Sequence, residues 1–133
     1  MDRLFVDTSA WYAHVNRRDP AHAAVRDLLS GFSGRLVTSN YVFDETVTLC
    51  VIRMGHKVAS RVGEALLDVS VADLVRIEPP DERAAWEHFR RRAEARYSFT
   101  DCTSFVLMRR LGLTRAAALD DDFRREGFEI VPL

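Results

Sequence analysis

The sequence predicts an α/β domain in which helices cover both faces of a central, mostly parallel sheet of about five strands. Short apolar segments alternate with longer segments of helical periodicity, as strands and crossover helices do in parallel sheets. The 133 residues contain no internal repeat, linker or low-complexity stretch. A chain of this length can bury most of its apolar surface in one core, so we expect a single domain over residues 1–133.

The first three predicted elements are a strand and two helices. The apolar run Leu4-Phe5-Val6 leads directly into Asp7, and residues 3–6 are therefore predicted as a short buried strand. A helix is expected from about Ser9 to Val15. Asp19-Pro20 then opens a second helix that ends near Leu29, because proline is favoured in a first helical turn.

The next segment predicts one strand and two helices. Residues 35–38 predict the second strand, since Leu36 is apolar and Val37 and Thr38 are β-branched. Ser39 or Asn40 can cap the helix that follows, and Gly55 marks its end. A further helix is expected over residues 57–69.

The second half of the chain continues the alternation. Residues 74–77 predict a third strand, stopped by Pro79-Pro80, and a strongly charged helix follows over about 81–95. Thr100 then caps a helix that begins at Asp101 and closes at Gly112.

The chain ends with two predicted strands, residues 116–119 and 128–131, separated by a helical turn around 121–126. Strands connected through helices require crossovers, and crossovers between parallel strands are right-handed. The pattern therefore favours a three-layer arrangement with parallel strands.

Composition indicates a cellular location but no particular binding partner. The net charge is −1, which gives no sign of a nucleic-acid partner. Cys50 and Cys102 both lie in predicted helices and resemble core thiols, so we expect a reducing cytoplasm. No apolar run approaches the ~18 residues of a membrane span, and Asp2, Arg3 and Asp7 interrupt any secretory signal.

Four acidic residues interrupt segments that otherwise belong to the core. Asp7 and Asp120 each follow an apolar run, Asp101 begins a helix, and Glu45 borders the apolar stripe of its helix. The carboxyl ends of parallel strands share one edge of a sheet. A buried carboxylate is costly unless it is paired or binds a cation, and Mg²⁺ and Mn²⁺ prefer oxygen ligands. The sequence therefore predicts a metal-dependent acidic site.

The position of Glu45 follows from helical periodicity. Val42, Leu49 and Ile52 share its stripe, whereas Asp44 falls in the polar arc. Glu45 is therefore the inward candidate and Asp44 is expected in solvent. A surface glutamate whose aliphatic stem packs down remains the alternative.

Simpler structural roles remain open for the other candidates. Asp101 is also placed to cap its helix, and Asp122 fits an acidic helix start as well as a secondary ligand. Thr8 and Ser9 could cap a helix or donate hydrogen bonds to a carboxylate, water or phosphate. The cluster Arg90–Arg92 predicts a solvated face.

The other charged residues and motifs disfavour several other kinds of site. Arg109-Arg110 and Arg115 lie between Asp101 and Asp120 in sequence and could therefore lie near the site. The histidines lack metal-ligand spacing, which disfavours zinc. The chain also lacks a Gly-rich phosphate loop and a nucleophile elbow.

The ordered motifs resemble those of PIN domains, and among these the VapC-type toxins of prokaryotic toxin–antitoxin pairs. The resemblance rests on motifs spread over essentially the whole chain: Val6-Asp7-Thr8-Ser9, Thr38-Ser39 leading to Glu45, Phe99-Thr100-Asp101, Leu119-Asp120-Asp121-Asp122-Phe123 and Phe128–Val131.

The resemblance implies a sheet in the order 3-2-1-4-5 and a Mg²⁺- or Mn²⁺-dependent endoribonuclease acting on single-stranded or looped RNA, with 5′-phosphate and 3′-hydroxyl products. It further implies a homodimer and, for a toxin of a type II pair, a small antitoxin protein. The residues it assigns are an acidic quartet that holds the metal and performs catalysis, Asp7, Glu45, Asp101 and Asp120, with Asp122, Thr8 and Ser9 as accessory residues.

Three alternatives stay open at this stage. A housekeeping PIN-type RNA-processing nuclease would have the same motifs without an antitoxin, and a non-catalytic interaction module would have the fold without the metal. A phosphoacceptor receiver domain needs an aspartate after the third strand and a late lysine. Here Glu78-Pro79-Pro80 follows that strand and the only lysine is Lys57, which disfavours the receiver.

Overall fold

A central sheet of five parallel strands organises the protein in the computed structural model, which describes residues 2–132. Helices flank this sheet, and its strand order is β3-β2-β1-β4-β5, which confirms the predicted three-layer α/β/α fold and its order. The strands are β1 (Arg3–Val6), β2 (Arg35–Ser39), β3 (Asp73–Val75), β4 (Arg115–Ala117) and β5 (Glu129–Val131).

Helices connect the successive strands along the chain, as crossovers between parallel strands require. The longest, α3, packs against α4, and α5 packs against α6. None of the helices within residues 2–132 is both long and apolar enough to cross a membrane. Their bounds are α1 (Thr8–Val15), α2 (His22–Gly31), α3 (Asn40–Met54), α4 (His56–Leu66), α5 (Pro79–Arg91), α6 (Phe99–Leu111) and α7 (Asp122–Arg125), with a 3₁₀ turn at Ala93–Ala95.

The core lies on both faces of β1, whose residues Leu4, Phe5 and Val6 are all fully buried. A central parallel strand is covered on two sides, so it reads as a continuous apolar run. Phe105 of α6 packs edge-to-face on Phe123 of α7, with ring centroids 5.0 Å apart. This contact fixes the start of α7, next to Asp120, relative to α6, which carries Asp101.

The pair Pro79-Pro80, which the sequence predicts as the stop of a strand, also begins a helix. Pro79 and Pro80 occupy the first two positions of α5, where the missing amide hydrogens would have no intrahelical partner. Pro20, in contrast, stands before its helix. The Asp19 carboxylate accepts a hydrogen bond from the Ala21 amide at 2.8 Å, which forms a turn, and α2 begins only at His22.

Helix α6 begins earlier than predicted, and its cap is Ser98 instead of Thr100. The Ser98 hydroxyl accepts a hydrogen bond from the Asp101 amide, and the Asp101 carboxylate accepts one from the Ser98 amide, both at 3.0 Å. This reciprocal capping box satisfies two amides that a helix start otherwise leaves unpaired. Asp101 is therefore the third residue of the helix.

Two predicted strands end two residues earlier in the structure. The chain leaves the sheet after Val75, because the amide of Ile77 donates to the side chain of Asn40 at 2.7 Å and not to a strand. Strand β4 ends at Ala117, so two residues separate it from Asp120. Both predicted core thiols, Cys50 and Cys102, are buried and free.

Candidate active site

One hollow at the carboxyl edge of the sheet contains the four acidic residues that the sequence predicts as a quartet. Asp7 follows β1 directly, Glu45 lies on the helix after β2, Asp101 opens α6, and Asp120 follows β4. The hollow has a volume of about 360 Å³ and is lined by Asp7, Thr8, Ser9, Tyr12, Asp19, Glu45, Leu49, Arg53, Ser98, Asp101, Leu119 and Asp120.

Asp7 is the most buried acid of the hollow, with 4% of its surface exposed. It caps α1, and its Oδ2 accepts hydrogen bonds from the amide and hydroxyl of Ser9 at 3.2 and 2.7 Å. Its other oxygen, Oδ1, is buried and has no hydrogen-bond partner among residues 2–132. Burial, reinforced by the carboxylates of Asp101 and Asp120, raises the pKa of Asp7 to about 7.

Ser9 and Thr8 fix Asp7 in different ways. The Ser9 hydroxyl donates to Asp7 and accepts from the Leu119 amide at 3.1 Å, so it joins α1 to the loop that carries Asp120. Thr8 is buried, and its hydroxyl lies 3.4 Å from that of Thr46 on α3. Ser9 therefore supports Asp7 directly, whereas Thr8 fastens α1 to the helix of Glu45.

Asp101 has both of the roles that the sequence left open. One of its oxygens, Oδ2, completes the capping box with Ser98, and the residue still lines the hollow. Burial raises the pKa of Asp101 to about 6, and the carboxylates of Asp122 and Asp120 contribute in the same direction. Its helical position therefore anchors a carboxylate whose charge the surroundings disfavour.

Glu45 is half-buried beside the hollow and Asp44 is exposed, as the periodicity of α3 predicts. The predicted apolar stripe of α3 is wrong at Ile52, which is 75% exposed. The fully buried side of α3 instead follows Val42, Thr46 and Cys50. Hydropathy alone misses Thr46, whose hydroxyl can be buried because it is hydrogen-bonded.

Asp122 lies beside the hollow and does not line it. Its amide donates to Asp120 Oδ1 at 3.1 Å, and its carboxylate lies 3.4 Å from Arg125. Partial burial and the nearby Asp120 raise the pKa of Asp122. Its charge acts on Asp101 from outside the pocket, which fits an accessory position.

The arginines that lie between Asp101 and Asp120 in sequence form ion pairs outside the hollow. Arg109 pairs with Glu126 at 3.0 Å and Arg110 with Asp81 at 2.8 Å. Neither they nor Arg115 line the hollow.

Sequence reasoning missed four polar residues of the hollow: Tyr12, Asp19, Arg53 and Ser98. The guanidinium of Arg53 lies over the ring of Tyr12, 5.1 Å from its centroid. Helical spacing could have found Arg53, since it follows Glu45 by eight residues on the same helix. Tyr12 and Asp19 had no such signal.

The residues of the hollow fit a hydrated divalent cation better than a dehydrated one. Among residues 2–132, no three His, Cys, Asp or Glu side chains converge closely enough to form a ready-made metal-binding group. The charged side chains of the hollow that can bind a cation are nevertheless all carboxylates. The Oδ1 atom of Asp7 is a buried acceptor without a partner among residues 2–132, and a cation would supply one. Mg²⁺ usually keeps several waters and binds through one or two carboxylates, which fits this arrangement.

Fold and site together define a PIN domain. The family model for this domain matches residues 4–129, and the chain belongs to that family. The resemblance found in the sequence motifs is thereby confirmed.

Within the family, the chain is similar to VapC proteins. It is 39% identical over 128 residues to the 23S rRNA-specific endonuclease VapC20 of Mycobacterium tuberculosis, covering 94% of this chain and 95% of the relative. The crystal structure of VapC20, described as a sarcin–ricin loop cleaving toxin, superposes with a TM-score of 0.89 at 38% identity over 94% of this chain and 95% of that one.

Two further matches are more distant. A VapC ribonuclease of Archaeoglobus fulgidus is 29% identical over 113 residues, which cover 81% of this chain and 71% of the relative. VapBC2 of Rickettsia felis, solved on a DNA fragment from its promoter, has a TM-score of 0.68 at 10% identity and covers 97% of each chain. This last match shows a shared fold only.

Proposed function

We propose that this protein is a divalent-cation-dependent endoribonuclease and the toxin of a type II toxin–antitoxin pair. The observation that carries the proposal is the convergence of four carboxylates in one hollow, with a buried oxygen of Asp7 left without a partner. Such a group of like charges is unfavourable unless a cation or protons compensate it. Similarity to a VapC endonuclease over 94% of the chain supports the same reaction class.

The four carboxylates divide into two kinds. Asp7 and Asp101 are held by Ser9 and by the capping box, so they present fixed oxygens to a cation. A bound Mg²⁺ or Mn²⁺ would supply charge neutralisation at the phosphate and a more acidic water. Glu45 is half-buried and Asp120 exposed. We assign these two to completing the ligand set and orienting the attacking water by accepting its hydrogen bond.

For the substrate, we propose a looped RNA. The relative VapC20 is described as specific for 23S rRNA and as cleaving the sarcin–ricin loop. A shallow, solvent-reachable hollow suits an RNA loop, whose unstacked nucleotides can be splayed toward a protein surface. A stem-loop with the sarcin–ricin sequence is therefore the first defined substrate to test.

For partners, we propose a small antitoxin and a homodimer. Both follow from the VapC-type family and not from a contact in this single chain. A housekeeping RNA-processing nuclease is the alternative, and co-purification with the product of a small neighbouring reading frame would favour the toxin. Full-length protein that purifies alone and is harmless when expressed would favour the alternative.

The test is cleavage of total cellular RNA with and without Mn²⁺, followed by mapping of the cut ends. We expect metal-dependent cuts by the unsubstituted protein and none by Asp7→Asn or Asp101→Asn. Asparagine at position 101 can still accept the Ser98 amide, so the cap of α6 is retained. Asp44→Asn is the matched control, because Asp44 is exposed on the same helix as Glu45.

Full cleavage by either active-site variant would contradict the proposal. Cleavage by the unsubstituted protein that persists in EDTA would contradict the metal requirement alone.

A further inference from the structure

The hollow has a problem of charge that the quartet does not solve. Five carboxylates line it, those of Asp7, Asp19, Glu45, Asp101 and Asp120. RNA is a polyanion, and these carboxylates repel its phosphates. Among the lining residues, Arg53 is the one that carries a permanent positive charge.

Arg53 lies on the same face of α3 as Glu45 but about two turns further along the helix. Residues 45, 49 and 53 follow one another at four-residue spacing and all line the hollow, so they share a face of α3. Eight residues of helix place the backbone of Arg53 roughly 12 Å from that of Glu45. No ion pair within residues 2–132 involves Arg53; its guanidinium lies over the Tyr12 ring.

The contact with Tyr12 leaves Arg53 free to bind an anion. The guanidinium carbon lies 5.1 Å from the ring centroid, a cation–π contact that does not engage the N–H groups in ordinary hydrogen bonds. Those N–H groups form the fork that matches two oxygens of a phosphate. The ring also reduces the rotational freedom that an exposed arginine would otherwise lose on binding.

We propose that Arg53, positioned by Tyr12, binds a backbone phosphate of the RNA next to the scissile one. The inference rests on the proposed ribonuclease function and adds to it a phosphate-binding residue outside the acidic quartet. Its distance from Glu45 along α3 separates it from the scissile phosphate. Arg53 thus supplies the attraction for RNA that the acids oppose, and Tyr12 is a positioning residue.

The test is Arg53→Gln, with kcat and KM measured on a stem-loop RNA in Mn²⁺ over a range of KCl concentrations. Loss of a charge-assisted hydrogen bond lowers kcat/KM roughly 10- to 100-fold, and we expect the change mainly in KM. The slope of log KM against log [KCl] should become shallower by about 0.7, the value for one phosphate contact on a single strand. Arg53→Lys should recover part of the lost affinity, because it restores the charge without the fork.

Arg61→Gln is the matched control. Arg61 is exposed on α4, lines a different groove, and its substitution removes the same charge. We expect a salt slope equal to that of the unsubstituted protein. An equal change of slope in both variants would show a general field effect and overturn the proposal.

Tyr12 provides a second, independent readout. Tyr12→Phe keeps the ring and should leave KM within about twofold, whereas Tyr12→Leu should raise KM toward the value of Arg53→Gln. If the two residues act together, the double variant Tyr12→Leu/Arg53→Gln is no worse than Arg53→Gln alone. Fully additive effects would overturn the positioning role.

RNA binding separates this inference from the proposed function. Fluorescence anisotropy with Ca²⁺ in place of Mn²⁺ reports affinity without relying on cleavage. Weaker binding by Arg53→Gln with a shallower salt slope supports the inference even if no RNA is cut. Normal cleavage and an unchanged slope in Arg53→Gln overturn the inference and leave the nuclease assignment intact.

Discussion

Asp7→Asn should inactivate the protein and at the same time stabilise it. In the folded protein Asp7 is 4% exposed, and its pKa is raised from 3.8 to about 7. Ionisation is therefore far easier in the unfolded chain than in the folded one. Above neutral pH the folded state carries a charge that its surroundings disfavour.

The size of this effect follows from the two pKa values. A tenfold difference in an acid dissociation constant corresponds to ~1.4 kcal/mol, so ionisation of Asp7 costs the folded protein about 4 kcal/mol near pH 8. Asparagine removes that cost but places an amide group at the buried Oδ1 position, where an unpaired donor costs about 1–3 kcal/mol. The net expectation is a gain of about 2 kcal/mol.

The sign determines the pH dependence. A raised pKa means that Asp7 contributes no penalty below about pH 4, where it is protonated in both states. Its contribution to stability is then lost as the pH rises toward 7. The advantage of Asp7→Asn should accordingly be largest at pH 8 and disappear near pH 4, where the unpaired amide makes the variant the less stable of the two.

Urea unfolding in EDTA at pH 4, 6 and 8 measures this difference directly. The comparison of variant with unsubstituted protein cancels the other titrating groups. Asp44→Asn serves as the control and should show no such trend, because Asp44 is exposed. A variant that is less stable than the unsubstituted protein at pH 8 would refute the reasoning, since it would mean that the carboxylate is stabilised in the folded state without a cation.

Three other outcomes follow from the same contacts. Mn²⁺ should raise the melting temperature more at pH 8 than at pH 5, because protons compete with the cation for Asp7 and Asp101, whose pKa values are raised. Thermal shift assays measure this difference, and a shift that does not depend on pH would contradict the prediction. Ser98→Ala should cost about 1 kcal/mol of unfolding free energy and reduce cleavage, whereas Ser98→Thr should retain both, because only the alanine lacks the capping oxygen. Glu126→Ala should destabilise by about 2–4 kcal/mol in urea unfolding, since this carboxylate is 3% exposed and binds Arg109, while a loss no larger than that of an exposed acid would show that the contact is weak.

The sequence predicts the strand order only through the family resemblance, but it predicts the site from its own residues. Apolar runs that end at Asp7 and Asp120 mark the ends of neighbouring strands, and parallel strands place such ends at one edge. Helical periodicity then distinguishes Glu45 from Asp44. These signals are local, which explains why they can be read without coordinates.

The missed features depend on contacts between distant parts of the chain. Arg53 matters because it meets Tyr12, and nothing in the spacing of positions 12 and 53 announces that contact. The buried side of α3 includes Thr46 because the hydroxyl of Thr8 accepts its hydrogen bond. The start of α6 depends on competition between two possible caps, Ser98 and Thr100, and the reciprocal bond with Asp101 decides it.

The two most strongly perturbed acids are fixed by different means, and this predicts different sensitivity to substitution. Asp101 is anchored by the capping box with Ser98 at the start of its own helix, so its position depends on the local segment from Ser98 to Asp101. Asp7 is anchored by Ser9, whose hydroxyl also binds the Leu119 amide across 110 positions of sequence. Ser9→Ala should therefore disturb Asp7 and the Asp120 loop together, whereas a change at Ser98 acts on Asp101 alone. The position of Asp7 relative to Asp120 then depends mainly on the junction of β1 and α1, where a strand end, a helix cap and the hydrogen bond between Ser9 and Leu119 coincide.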